Sequence, residues 1–174
     1  SMPRTGFGVV ARDFNRDGYE DLLVGNGRVT RGSTVVLPGL EDPWNGMAEP
    51  NDLYFRSERG FELAPVDSVL SEVGLTRAVV AGDFDRQGQL EVLIVNVETP
   101  SILVTPPPTT ARELFVEAVD DSGHPVLHAL VICQTGDKMQ RRRQGISDGY
   151  ASAQPPEVHF GLGSSQSPAE LTVQ

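Results

Sequence analysis

The apolar positions of the chain fall into short runs broken by Gly, Asp and Asn, and long helical periodicity is lacking. Val9, Val10 and Ala11 lead into an acidic stretch, and Leu22, Leu23 and Val24 lead out of it. The same plan returns with Val79, Val80 and Ala81, and then Val92, Leu93, Ile94 and Val95. Runs of about four aliphatic and β-branched residues bounded by turn formers predict buried strands. Set side by side, VVARDFNRDGYEDLLVGNG (9–27) and VVAGDFDRQGQLEVLIVNV (79–97) agree at nine of nineteen positions without a gap. An internal repeat of a strand–acidic turn–strand unit follows. Further on, strands are predicted over 113–119, 127–134, 138–144, 156–160 and 171–173, with turns at 120–123 and 135–137. One short helix is predicted over 68–73. Residues 28–50, rich in Gly and Pro, read as an irregular insertion, with Trp44 expected to cover a core. Pro106-Pro107-Pro108 reads as a stiff linker. The fold class is therefore all-β, divided as 6–105, a linker at 106–111, and 112–174.

The acidic turns carry the candidate chemistry. In the first, Asp13, Asn15, Asp17 and Asp21 stand at positions 1, 3, 5 and 9, with Gly18 at 6. Ca²⁺ is a hard cation that gathers oxygen ligands, and a loop presenting alternate side chains inward supplies them within a few residues. Gly18 permits the sharp turn. The Tyr19 carbonyl is expected to add a backbone oxygen, and Glu20 to point away into solvent. The second turn, with Asp83, Asp85, Gln87, Gln89 and Glu91, keeps three carboxylates but has Gln at position 5 and Glu at position 9. It is expected to be the weaker metal loop.

Composition narrows the partners. Fourteen Lys and Arg stand against twenty-four Asp and Glu, a formal charge of −10. That argues against nucleic acid or an anionic membrane surface as the main partner. Residues 1–111 hold nine basic and sixteen acidic residues and residues 112–174 five and eight, so the acidity concentrates in the repeats. No apolar run reaches the length of a membrane span. The single cysteine, Cys133, excludes an intrachain disulfide and a cysteine-based zinc cluster, and is expected in a core. Ser1-Met2 resembles a scar of tag removal, so the chain is expected to be an excised piece of a longer protein.

Other polar residues are read more plainly. His124 and His128 would lie ~13 Å apart on a strand, too far to share a metal. His159 is expected to be a structural imidazole beside a turn at 161–163. Arg141-Arg142-Arg143, alternating across a strand, reads as a solvated edge, with an anion or sulfated-glycan contact as the alternative. Walker, dinucleotide, nucleophile-elbow and H-E-x-x-H motifs do not occur in the sequence.

The acidic turns within their strands resemble the FG-GAP or VCBS repeat of integrin-type β-propellers. Asn51-Asp52-Leu53-Tyr54-Phe55 with Arg59-Gly60-Phe61 looks like that family's outer hairpin. Gly149-Tyr150-Ala151-Ser152 with Val158-His159-Phe160-Gly161-Leu162-Gly163 looks like the ASPIC/UnbV signature, the pairing of the cartilage-acidic-protein-like family. The resemblance implies four-stranded blades around an axis. Two repeats make only a partial propeller, with exposed sheet edges that invite self-association. It also implies a calcium-binding, non-catalytic interaction module that is secreted, periplasmic or at the cell surface, with a protein or glycan ligand. The alternatives are an enzyme or accessory of secondary metabolism, by the UnbV association, and a glycan- or matrix-binding module using Trp44 and the arginines.

Overall fold

The computed structural model describes residues 4–30, 37–65, 69–107, 109–145, 149–166 and 169–174. Ser1-Met2, Ser68 and Pro108, and parts of the insertion and of the approach to Tyr150, lie outside the described residues. The fold is all-β.

In the first blade, β1 (Gly6–Arg12) pairs with β2 (Asp21–Asn26), interrupted by a bulge between Gly6 and Gly8. A two-residue β3 (Glu49–Pro50) precedes β4 (Asp52–Ser57) and β5 (Gly60–Leu63), which close a sheet of order β1-β2-β4-β5. After β6 (Val73–Gly74), the partner of β3, the second blade repeats the plan. Here β7 (Thr76–Gly82) pairs with β8 (Glu91–Asn96), with a bulge between Thr76 and Ala78 at the equivalent place, and β9 (Ile102–Val104) completes three strands. The repeat thus fixes ladder register as well as strand identity.

The predicted helix over 68–73 is instead a 3-10 turn at Val69–Ser71 running into β6. Pairing with β3 and the presence of β-branched Val73 and Gly74 override a weak local preference. Trp44 lies in another 3-10 turn, Trp44–Met47, and packs on the cluster of Leu40, Ala48 and Leu75, as a core cover.

The C-terminal part holds β10 (Arg112–Val116), β11 (Leu130–Thr135), β12 (Lys138–Arg143), β13 (Val158–Gly163) and β14 (Glu170–Val173). They form a β10-β13 pair and a β12-β11-β14 sheet around Val131, Cys133, Val158, Phe160 and Leu162. Two predicted strands are shorter than expected. The backbone leaves extended form at His128, where φ is +68°, and the buried Gln144 side chain serves this stretch. Its amide donates to the Ala118 and Val126 carbonyls and its Oε1 accepts from Ala118 N–H, in place of a ladder. Conversely, β13 continues to Gly163, where a turn was expected, because β10 pairs along it, with a bulge opposite Arg112 and Glu113 and a positive φ at Gly163.

The main core spans both blades, from Val10, Leu23 and Leu53 to Val79, Val92 and Ile94, and Phe115 of β10 packs against it. Gly8 permits the inner strands to meet, since a Cβ there would lie 2.8 Å from Val79 N. The C-terminal part also reaches the second blade through Gln154. Its Oε1 accepts from Ala81 N–H at 3.0 Å and its Nε2 donates to the Val79 carbonyl at 3.0 Å, the two bonds a neighbouring strand would make with β7. Gln154→Ala orphans both groups in a buried place, so it should cost about 2–4 kcal/mol, readable as a lower urea midpoint.

Candidate metal centre

Both acidic turns fold to one design. In the first, Asp13 Oδ1 accepts from Asp17 N–H at 2.9 Å and Oδ2 from Gly18 N–H at 2.7 Å. Asn15 Oδ1 also accepts from Asp17 N–H, and Asp17 Oδ1 from Tyr19 N–H. Asp21 closes the loop, accepting from Phe14 N–H and Arg56 N–H at 2.9 and 2.8 Å. The second loop repeats this: Asp83 accepts from Gln87 and Gly88 N–H, Asp85 from Gln87 N–H, and Glu91 from Phe84 and Asp85 N–H. The backbone agrees too. Arg16 and Gly18 have φ of +62° and +97°, and Arg86 and Gly88 have +59° and +77°. An αL step at position 4 and a glycine at position 6 turn the side-chain oxygens inward.

The two loops differ in how far their carboxylates converge. Ligand oxygens of Asp83, Asp85 and Glu91 lie within 4.8 Å of one another. Among the described residues the three aspartates of the first loop do not come together in that way. The extra methylene of Glu91 supplies reach that Asp21 lacks. Gln87 and Gln89 are exposed. Tyr19 turns its ring outward, its hydroxyl donating to Glu58 Oε1 at 3.3 Å, so its carbonyl is the group it offers the loop.

Burial separates the loops as well. Asp13 and Asp21 are both fully buried, whereas Asp85 is exposed. Burial is the main force lifting Asp13 to about 6 and Asp21 to about 7, against backbone amides that favour the ionised forms. Neighbouring aspartates raise both further. Oxygen-only donors that are buried and mutually repelling fit a hard divalent cation, whose charge would remove the cost of ionisation. The linkage has a definite sign. An acid whose folded value is raised contributes stability below its unfolded value, near 3.8, and loses it as pH rises through 6–7. At ~1.4 kcal/mol per pH unit, Asp13 alone costs the chelated protein about 3 kcal/mol at neutral pH. In chelator the urea midpoint should therefore fall between about pH 4 and 7 and level off above, and excess calcium should flatten that fall.

The C-terminal part closes over the first loop. A Cβ on Gly161 would overlap Asp13 Oδ2 and lie 2.6 Å from Arg16 Cα, so only glycine fits above the carboxylate. Gly163 N–H donates to the Arg16 carbonyl at 2.9 Å and Lys138 Nζ to the Asp17 carbonyl at 3.1 Å. Glu20, expected in solvent, instead meets Arg142 Nε at 3.1 Å. Arg142 is accordingly not part of a solvated edge. Its side chain is 12% exposed and lies over Phe160, while Arg141 and Arg143 face out.

Sequence reasoning missed one buried network. Arg16 Nη2 meets Glu113 Oε1 at 2.7 Å, and His159 Nε2 donates to Glu113 Oε2 at 3.0 Å. Burial holds His159 below its ordinary value, offset in part by Glu113. The expected structural role of His159 thus has a specific partner. Glu157, also unforeseen, accepts from Asp83 N–H at 3.0 Å at the head of the second loop. These contacts join segments remote in sequence, and no local signal marks them. Cys133 is buried in the C-terminal core, and His124 lies 3.7 Å from Asp120.

Comparison with known proteins agrees with this architecture. The family model of the FG-GAP repeat matches residues 5–37, and that of ASPIC and UnbV matches residues 120–174. The chain is similar to cartilage acidic protein 1 of Mus musculus, 27% identical over 179 residues, covering 90% of this chain and 23% of that protein. The Homo sapiens protein of the same name is 26% identical, over 90% of this chain and 22% of its own length. The chain thus spans less than a quarter of these relatives. It carries an FG-GAP repeat followed by an ASPIC/UnbV domain.

Proposed function

We propose that the chain is a calcium-dependent, non-catalytic interaction module of a secreted, periplasmic or cell-surface protein. The observation that carries this reading is the buried pair Asp13 and Asp21, whose carboxyls are pushed up to about 6 and about 7 mainly by burial. In the first loop Asp13, Asn15, Asp17, Asp21 and the Tyr19 carbonyl hold the ion; in the second Asp83, Asp85 and Glu91 do so. The ion supplies positive charge, and the chain's own residues supply the cage. Because Asp13 lies directly beneath Gly161, filling the first loop also stiffens the seat of the C-terminal part.

The similarity to proteins named cartilage acidic protein 1 supports a location outside the cell, where calcium is plentiful enough to fill a weak site. No helix among the described residues is long and apolar enough to cross a membrane. Among the described residues β9 and β14 end their sheets, and these edges, with exposed Leu103, Leu171 and Val173, offer strands to a protein partner or a second copy.

Calorimetric titration of Asp17→Ala tests the assignment. Asp17 is part-exposed and its loss spares the core, so the fold should persist while calcium uptake at the first loop falls at least about tenfold. Uptake equal to wild type would remove the first loop from the account.

A further inference from the structure

A cleft of about 300 Å³ lies between the free edges of β1 and β12 and the segment preceding β13. Its lining includes Val9, Arg12, Glu20, Arg142, Pro155 and His159. In a chain of net charge −10 this wall is unusual, because Arg141 and Arg143 border it too and arginines outnumber its acids. Arg12, Arg142 and His159 line the same cleft, so two guanidinium groups and one imidazole share its wall. Arg142 is largely buried, braced by Glu20, by Gln140 Oε1 and by the Arg141 carbonyl. The His159 side chain is fully buried, and its Nδ1 has no hydrogen-bond partner. With Nε2–H given to Glu113, Nδ1 is a lone-pair acceptor.

We infer that this cleft is a binding site for a small hydroxycarboxylate, of the size and kind of a uronic acid. Each feature answers one part of such a molecule. Guanidinium forks match a planar carboxylate in geometry and charge. Glu20 accepts the hydrogen bond of a hydroxyl, and the orphaned Nδ1 accepts another from a hydroxyl that reaches it. Val9, Pro155 and Val158 present apolar surface to the C–H face of a ring. The volume is at the lower end of ligand sites and admits one ring. None of these groups is a proposed calcium ligand, so the two readings can be tested apart.

Isothermal titration with D-glucuronate, D-glucose and acetate, each in calcium and in chelator, provides the test. Glucuronate is expected to bind one site per chain in the millimolar range or tighter. Glucose, lacking the charge, and acetate, lacking the hydroxyls, should each bind at least about tenfold more weakly. Arg12→Gln should weaken glucuronate by a similar factor. Val9→Trp, at a partly exposed position, should block the cleft by bulk while the melting temperature stays near that of wild type. Glucuronate binding that matches glucose, survives both substitutions, or is absent at tens of millimolar would overturn the assignment.

Discussion

Gly161→Ala is expected to destabilise the protein by about 3 kcal/mol and to weaken its response to calcium. The reason is steric. Gly161 lies within β13, in ordinary extended backbone, so a methyl group creates no local strain there. It would, however, overlap Asp13 Oδ2 and crowd Asp13 Cγ and Arg16 Cα, both 2.6 Å away. Asp13 cannot yield, because both its oxygens are fixed by loop amides. Nor can β13 withdraw without breaking the Gly163–Arg16 bond and the bond from Gln140 Nε2 to the Gly161 carbonyl. A lower urea midpoint together with weaker calcium uptake would bear out the coupling. A wild-type midpoint would mean that β13 is not seated on the loop.

Glu113→Ala should be as damaging, at about 3–5 kcal/mol, because it strands two buried partners at once. Arg16 and His159 both lean on this carboxylate, and the three side chains are 7%, 0% and 5% exposed for Arg16, His159 and Glu113. Without Glu113 the Arg16 guanidinium stays charged in a nearly dry site. Glu113→Gln keeps the shape and one acceptor, so it should fall between the alanine variant and wild type. Equal midpoints for all three proteins would show the network to be energetically idle.

Much of this architecture was legible because its information is local. Oxygen side chains at alternate positions with a glycine after the third specify a loop from nine residues, and the structure folds both copies alike, down to Arg16 and Arg86. The repeat carried the paired bulges with it. What sequence could not supply were contacts between segments. Arg142 reads as a charged strand position, yet Glu20 and Phe160 draw it inward. Gln154 sits in a Pro-rich stretch without periodicity, yet its amide takes the place of a strand beside β7. The 68–73 segment misleads for a related reason, since its form is decided by pairing with Glu49–Pro50 across the insertion. The ranking of the loops rested on ligand identity alone. Side-chain reach gives the second the tighter carboxylate trio and burial gives the first the stronger need for charge.

Thermal unfolding of the wild-type chain, in excess chelator and then in millimolar calcium, tests the central claim most directly. Calcium at about a hundred times Kd contributes ~2.7 kcal/mol, which for a chain of this size raises the melting temperature by about 5–10 °C. Such a rise, with one or two ions bound per chain, is the predicted result. Coincident melting curves in chelator and calcium would contradict the account, leaving the acidic turns as turns and the raised carboxylates without a counter-ion.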